Sequence, residues 1–204
     1  MGRTNGFPVA IACTVAALTW AAAAPVPAFA QEWIEFTNRA DRFHVNFPGQ
    51  PVVRETTYQA QRGKPVPARV YTVQDGPRRY SVTVATFEGA GTQPSDVRGS
   101  IAWEAWNFRK RGGEITYDAF AQIDRIDGHQ LHITNRDQTV TIVAIHLLNS
   151  RLYILEATGP PGSPGAVHFQ QSLMILDEAG QRIRYEIEVD GSRGVRIMDL
   201  TGIC

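Results

Sequence analysis

Arg42-Phe43-His44-Val45-Asn46-Phe47-Pro48-Gly49-Gln50-Pro51 is the stretch that decides the fold class. Phe43, Val45 and Phe47 fall on one side of an extended chain, and Arg42, His44 and Asn46 on the other. This is the period-two pattern of a half-buried strand. Pro48-Gly49 ends it as a turn, because proline pre-sets the first central position and glycine accepts positive φ at the second. Pro51 keeps Gln50 extended and sends the next strand off in a defined direction. The stretch therefore reads as a core strand and its turn, with His44 and Asn46 as the residues that would line a surface site.

Upstream, Arg3 precedes an apolar, alanine-rich run from Phe7 to Ala24, which Pro25 and Pro27 break. Ala28-Phe29-Ala30 is a small-x-small cleavage pattern, so residues 1–30 read as a secretory signal peptide cut after Ala30. The expected location is periplasmic or secreted, with no transmembrane span after cleavage. The remaining 31–204 suits one domain. Formal net charge is +0 and only Lys64 and Lys110 of the twenty basic residues are lysine, so nucleic acid is not an expected partner. Cleavage leaves Cys204 as the only thiol, which precludes an internal disulfide and permits pairing with another chain.

Downstream the pattern predicts an antiparallel meander. Trp33–Thr37 is an edge strand, and Val52–Ala60, Val66–Gln74 and Tyr80–Phe87 follow, with Asp75-Gly76 as a hairpin turn. Ser95 or Asp96 caps a helix whose Val97, Ile101, Ala105 and Phe108 face the sheet. Arg109-Lys110-Arg111 suits its last turn, and Gly112-Gly113 closes it. A strand from Ile115 to Ile126 is turned by Asp127-Gly128. Gln130–Arg136, Thr139–Leu148 and Leu152–Thr158 follow as three strands in a row. Val140–Leu148 is apolar on both sides, the mark of a central strand with both faces covered, which calls for helices on the sheet. Ser163 and Pro164 begin a second helix with Ala166, Phe169 and Leu173 inward. From Arg182 to Val189 the chain alternates, with Ile183, Tyr185, Ile187 and Val189 inward, and residues 181–204 form a hairpin tail, able to join a sheet edge or a second molecule.

Motifs for a serine nucleophile, a P-loop, a dinucleotide turn and paired-cysteine or H-E-x-x-H zinc sites are missing. No cofactor is implied. One histidine pair stands out. With Asp137-Gln138 as a two-residue turn, His129 falls opposite His146 and Ile133 opposite Ile142. Cross-strand side chains lie about 5 Å apart, near enough for two metal ligands. A one-residue slip of register abolishes the pair. Asp124 and Asp127 would form an acid/base pair only across a turn. Trp103 and Trp106, three apart on the first helix, form a second apolar stripe and are the candidate partner-binding residues.

The opening Phe43-x-Val45-x-Phe47-Pro48-x-x-Pro51, then a meander, a helix, long strands and a late helix with Phe169 and Ser172-Leu173, resembles the PsbP-like fold. That family includes the PsbP subunit of photosystem II, the Ran-binding Mog protein and small exported bacterial proteins. The resemblance spans Trp33 to Leu176 and leaves the tail outside. It implies an α+β domain, an antiparallel sheet sandwiched between two main helices at 31–180, used for binding and not for catalysis. No functional residue carries over. The expectation is an exported, non-enzymatic protein that binds a protein or envelope component, with self-association through the tail as a further possibility. The alternative is an exported hydrolase or metal-dependent enzyme using His129 and His146.

Overall fold

The quoted stretch becomes β2 (Phe43–Phe47), and Phe43, Val45 and Phe47 are fully buried. Removing three such side chains from water contributes about 1.5–3 kcal/mol each. The computed structural model describes residues 1–2, 32–62, 64–90, 96–163 and 165–198, with backbone alone at 193 and 195–198. Nearly all of the expected leader, together with Ser95, Pro164 and Cys204, lies outside the described residues. The chain divides into Met1–Ala30 and Gln31–Cys204, and everything below concerns the second unit.

β2 does not continue into the long meander. It sits at the centre of a small antiparallel sheet between β1 (Ile34–Asn38) and β10 (Met174–Ile175). Its second face is covered as well, and His44 is buried there with Thr37 Oγ1 2.9 Å from its Nδ1. The physical reason lies in residues 48–51. Gly49 takes φ +132°, and the chain leaves the small sheet instead of folding back on it. β3 (Val52–Tyr58) then opens a separate seven-stranded sheet as an exposed edge strand.

That sheet is wholly antiparallel, in the order β3, β4 (Val66–Asp75), β5 (Arg78–Thr86), β9 (Arg151–Gly159), β8 (Val140–Leu148), β7 (Ile126–Thr134), β6 (Glu114–Ile123). Gly76 at φ +55° turns β4 into β5, as the Asp-Gly pair predicts. Asn149 and Ser150, both at positive φ, turn β8 into β9. β8 is covered on both faces, as its two-sided apolar pattern requires.

One cover is α1 (Val97–Lys110), which lays Ile101, Ala105 and Phe108 on β7 and β8. Asp96 caps it, accepting from Gly99 N at 2.5 Å. The other cover is α2 (Gly165–Gln171) together with the small sheet, where Phe47, Tyr80 and Phe169 rings meet. Ser163 does not cap the α2 amides with its side chain; its Oγ donates to Pro160 O at 2.7 Å. The fold is therefore α+β, a long antiparallel sheet layered between one helix and a helix-plus-sheet layer.

Three expectations need correction. The turn after β6 is Asp124-Arg125, at φ +49° and +60°, and Gly128 lies within β7. Two consecutive residues at positive φ make the tight turn that a two-residue hairpin needs, without any glycine. The β7–β8 connection is a three-residue loop, with Gln138 at φ +67° and Asn135 N donating to Thr139 O at 2.8 Å. That one extra residue pairs His129 with Ile145, and His146 with Gly128. Finally, the inward stripe of the tail ends early. β11 (Arg182–Ile187) and β12 (Arg193–Met198) form their own two-stranded sheet, Ile183 is buried, and Ile187 and Val189 are exposed. The hairpin is fixed by Arg182, whose Nε and Nη2 donate to the buried Asp124 carboxylate at 2.8 and 2.7 Å, and by Tyr185 N donating to Asp124 O at 3.0 Å.

Candidate functional site

The β1–β2 turn builds one wall of a cleft. Asp41 N donates to Asn38 Oδ1 at 2.8 Å, and Arg42 takes φ +57°, which carries the chain sharply into β2. This turn sends the Asp41 side chain inward, over the end of the long sheet. Strand alternation supplies the opposite wall. Arg69 and Tyr71 project from one face of β4, and Arg151 and Tyr153 from the same face of β9. Arg69 Nη1 donates to Asp41 Oδ1 at 2.6 Å, and the Tyr71 hydroxyl donates to Oδ2. The buried Tyr153 hydroxyl donates to the backbone oxygens of Asp41 and Arg42 at 3.2 and 3.3 Å. Between the walls lies a cavity of about 340 Å³ lined by Asp41, Glu55, Thr56, Arg69, Thr86 and Arg151.

Arg151 is the unusual group. Its side chain is 9% exposed, and among the described residues its one ion pair is Nη2 to Glu88 Oε2 at 3.2 Å, a carboxylate that is itself mostly in solvent. Nε and Nη1 are buried and lack a hydrogen-bond partner among the described residues. Burial, then the Asp41 contact, push the Tyr71 phenol well above its ordinary range, and burial does the same to Tyr153. Both hydroxyls therefore keep their protons. Sequence reading missed the cleft because Asp41, Arg69 and Arg151 come from separate segments. One signal was present: Arg151-x-Tyr153-x-Leu155-x-Ala157 places a charge at the end of a stripe of core residues.

The histidine pair comes apart. His129 and His146 lie on opposite faces of the sheet, the consequence of the one-residue slip. His129 faces α1, where Nε2 is 2.6 Å from Asp118 Oδ1, and Arg109 Nε and Nη2 donate to both Asp118 oxygens at 2.7 Å. The Arg109 hydrogen bonds, with His129 adding to them, hold the Asp118 carboxyl down at about 2. His146 is buried on the other side with Nδ1 over Gly128, and burial lowers it to about 4. The cross-strand pair that the hydrolase or metal-enzyme alternative drew on is therefore not formed. Asp124 and Asp127 also diverge: one holds Arg182, the other accepts from Gln122 Nε2 at 2.8 Å. Among the described residues no group of three His, Cys, Asp or Glu is placed to hold a metal ion.

His44 and Asn46 line a smaller pocket with Glu35, His168, Gln171 and Met174. Burial lowers the His44 imidazole, which favours its neutral form. Trp103 and Trp106 sit together on the outward side of α1, ring centroids 5.0 Å apart and tilted by 32°. Trp106 is 44% exposed, and Lys110 Nζ lies 3.7 Å above its ring. Trp103 is half-buried, and its Nε1 has no partner among the described residues.

Fold and site together define the class: an α+β domain with one long antiparallel sheet, covered on both faces, and an arginine-lined cleft at one end. No family model matches the chain, and no curated protein matches it. Among solved structures, the solution structure of cyanobacterial PsbP (CyanoP) from Synechocystis sp. PCC 6803 is similar, with 9% identity and a TM-score of 0.48. The match covers 74% of this chain and 97% of that one. Among the described residues no helix is long and apolar enough to cross a membrane.

Proposed function

We propose that the chain is an exported, non-enzymatic binding or accessory protein of the bacterial cell envelope. Its partner is a protein or envelope component, met through the outward side of α1 around Trp103 and Trp106. One observation carries this reading: the Trp106 ring stands nearly half exposed on a rigid helix, stacked on Trp103 and topped by Lys110. An aromatic held this way offers its remaining exposed face for burial at small entropic cost, the property of interface anchors. Export is supported by the basic start, apolar run and Ala28-Phe29-Ala30 pattern of residues 1–30.

The test is capture of envelope proteins on immobilised 31–204, compared with Trp106→Ser and with a version lacking the 181–204 tail. A partner retained by the parent chain and lost by Trp106→Ser is expected. Equal recovery by both chains overturns the assignment to α1. Loss on tail deletion alone, or an oligomer that the deletion dissolves, moves the interface to the hairpin.

A further inference from the structure

From the geometry around Arg151 we infer that the cleft under the β1–β2 turn is a binding site for a small oxyanion, a carboxylate or phosphate group carried by a small molecule. This goes beyond the partner surface on α1 and does not depend on it. A guanidinium this deeply buried is costly unless its hydrogens find acceptors. Arg151 has one, Glu88, at 3.2 Å and on the solvent side, while Nε and Nη1 have none among the described residues. Nη1 and Nη2 of one guanidinium form an end-on edge that matches two oxygens of a carboxylate or phosphate, and Nη1 is the unpartnered half of that edge among the described residues. Asp41 is already engaged by Arg69 Nη1 and by the Tyr71 hydroxyl, and Glu55 lies 3.7 Å from Arg69 Nε, so Arg151 is the buried cation with the least compensation. The remaining carboxylates, Glu55 and Glu88, are 86% and 62% exposed and stand at the rim, where solvent screens them. The cavity, at about 340 Å³, lies within the range of small-molecule sites. Tyr153, which ties the turn to β9, keeps the two walls in place without a ligand.

The experiment is thermal unfolding of the purified chain in increasing inorganic phosphate and, separately, succinate, each against sodium chloride at matched ionic strength. The expected result is a saturable rise in Tm with at least one of the two oxyanions, about 3–6 °C at ten times Kd, and no such rise with chloride. The difference between phosphate and succinate tells which oxyanion the site prefers. Arg151→Met separates a binding role from a structural one. A binding arginine, replaced by an apolar chain of similar length, leaves Tm in anion-free buffer equal or higher and abolishes the oxyanion response. Arg151→Lys keeps the charge but loses the two-point edge, and weakens the response at least tenfold in Kd. An Arg151→Met chain that melts lower yet still responds to phosphate or succinate overturns the proposal. So does a parent chain whose oxyanion response matches chloride.

Discussion

Gly128 is the residue whose replacement tests the central packing most directly. It lies within β7, opposite His146 of β8, and the imidazole rests on its bare backbone. A Cβ at this position would meet His146 Nδ1 at 2.2 Å and Ile145 O at 2.5 Å. The ring can turn away only into a filled core, and the second obstacle is backbone, which cannot turn at all. Gly128→Ala therefore forces β7 and β8 apart locally. Overpacking of this kind costs about 1–3 kcal/mol, and in a domain of this size each kcal/mol lowers Tm by about 2–4 °C. The expected loss is thus about 2–12 °C by circular dichroism, with Gly128→Val falling further. His146→Ala removes the first obstacle and leaves the second, so Gly128→Ala costs less in that background than in the parent chain. A Gly128→Ala chain that melts within a degree of the parent, or a double variant whose losses simply add, refutes the packing argument.

The same histidine sets a pH dependence. Burial holds His146 at about 4 in the folded chain against an ordinary 6.5, so the unfolded chain takes up its proton first. Its contribution is complete above about pH 6.5 and declines toward pH 4, by at most about 1.4 kcal/mol per unit. His44 and His132 are lowered by burial and act in the same direction. Urea unfolding at pH 7, 6, 5 and 4.5 will show a shallower decline for His146→Gln, and an unaltered slope contradicts the assignment. At the tail, Arg182→Met strands the buried Asp124 carboxylate at a cost of about 2–4 kcal/mol. Hydrogen exchange at the Tyr185 amide then accelerates while β8 amides keep their protection. Asp124→Asn, which retains the positive-φ turn, costs less.

What could be read from the chain was what neighbouring residues decide among themselves. The Phe43-Val45-Phe47 alternation, the Asp96-capped stripe of Ile101, Ala105 and Phe108, and the two-sided apolarity of Val140–Leu148 are local signals, and each element formed where its period placed it, except that Val97, in the first turn of the helix, is exposed and not on the sheet. The misreadings share another cause. Asp127-Gly128 looks like a turn, but the glycine is required by a ring on the next strand, while Asp124-Arg125 turns without glycine. The His129–His146 pairing depended on a loop length that differs by a single residue. β10 contributes only Met174 and Ile175, too few for a periodic signal, so the separate small sheet stayed hidden. The cleft was least legible because Asp41, Arg69 and Arg151 become neighbours only through sheet order.

The small sheet also constrains the order of events during folding. Its middle strand pairs at one edge with a segment just upstream and at the other with Met174 and Ile175, so His44 must wait for Met174. Closing so long a loop is slow, and the gain arrives only at the end. A growing chain halted before residue 174 would carry β2 with one edge bare, a sticky template for other chains. The segment from Met174 therefore acts as the latch that retires this edge, and truncations between α2 and Met174 should reveal themselves as aggregation before any loss of helix is seen.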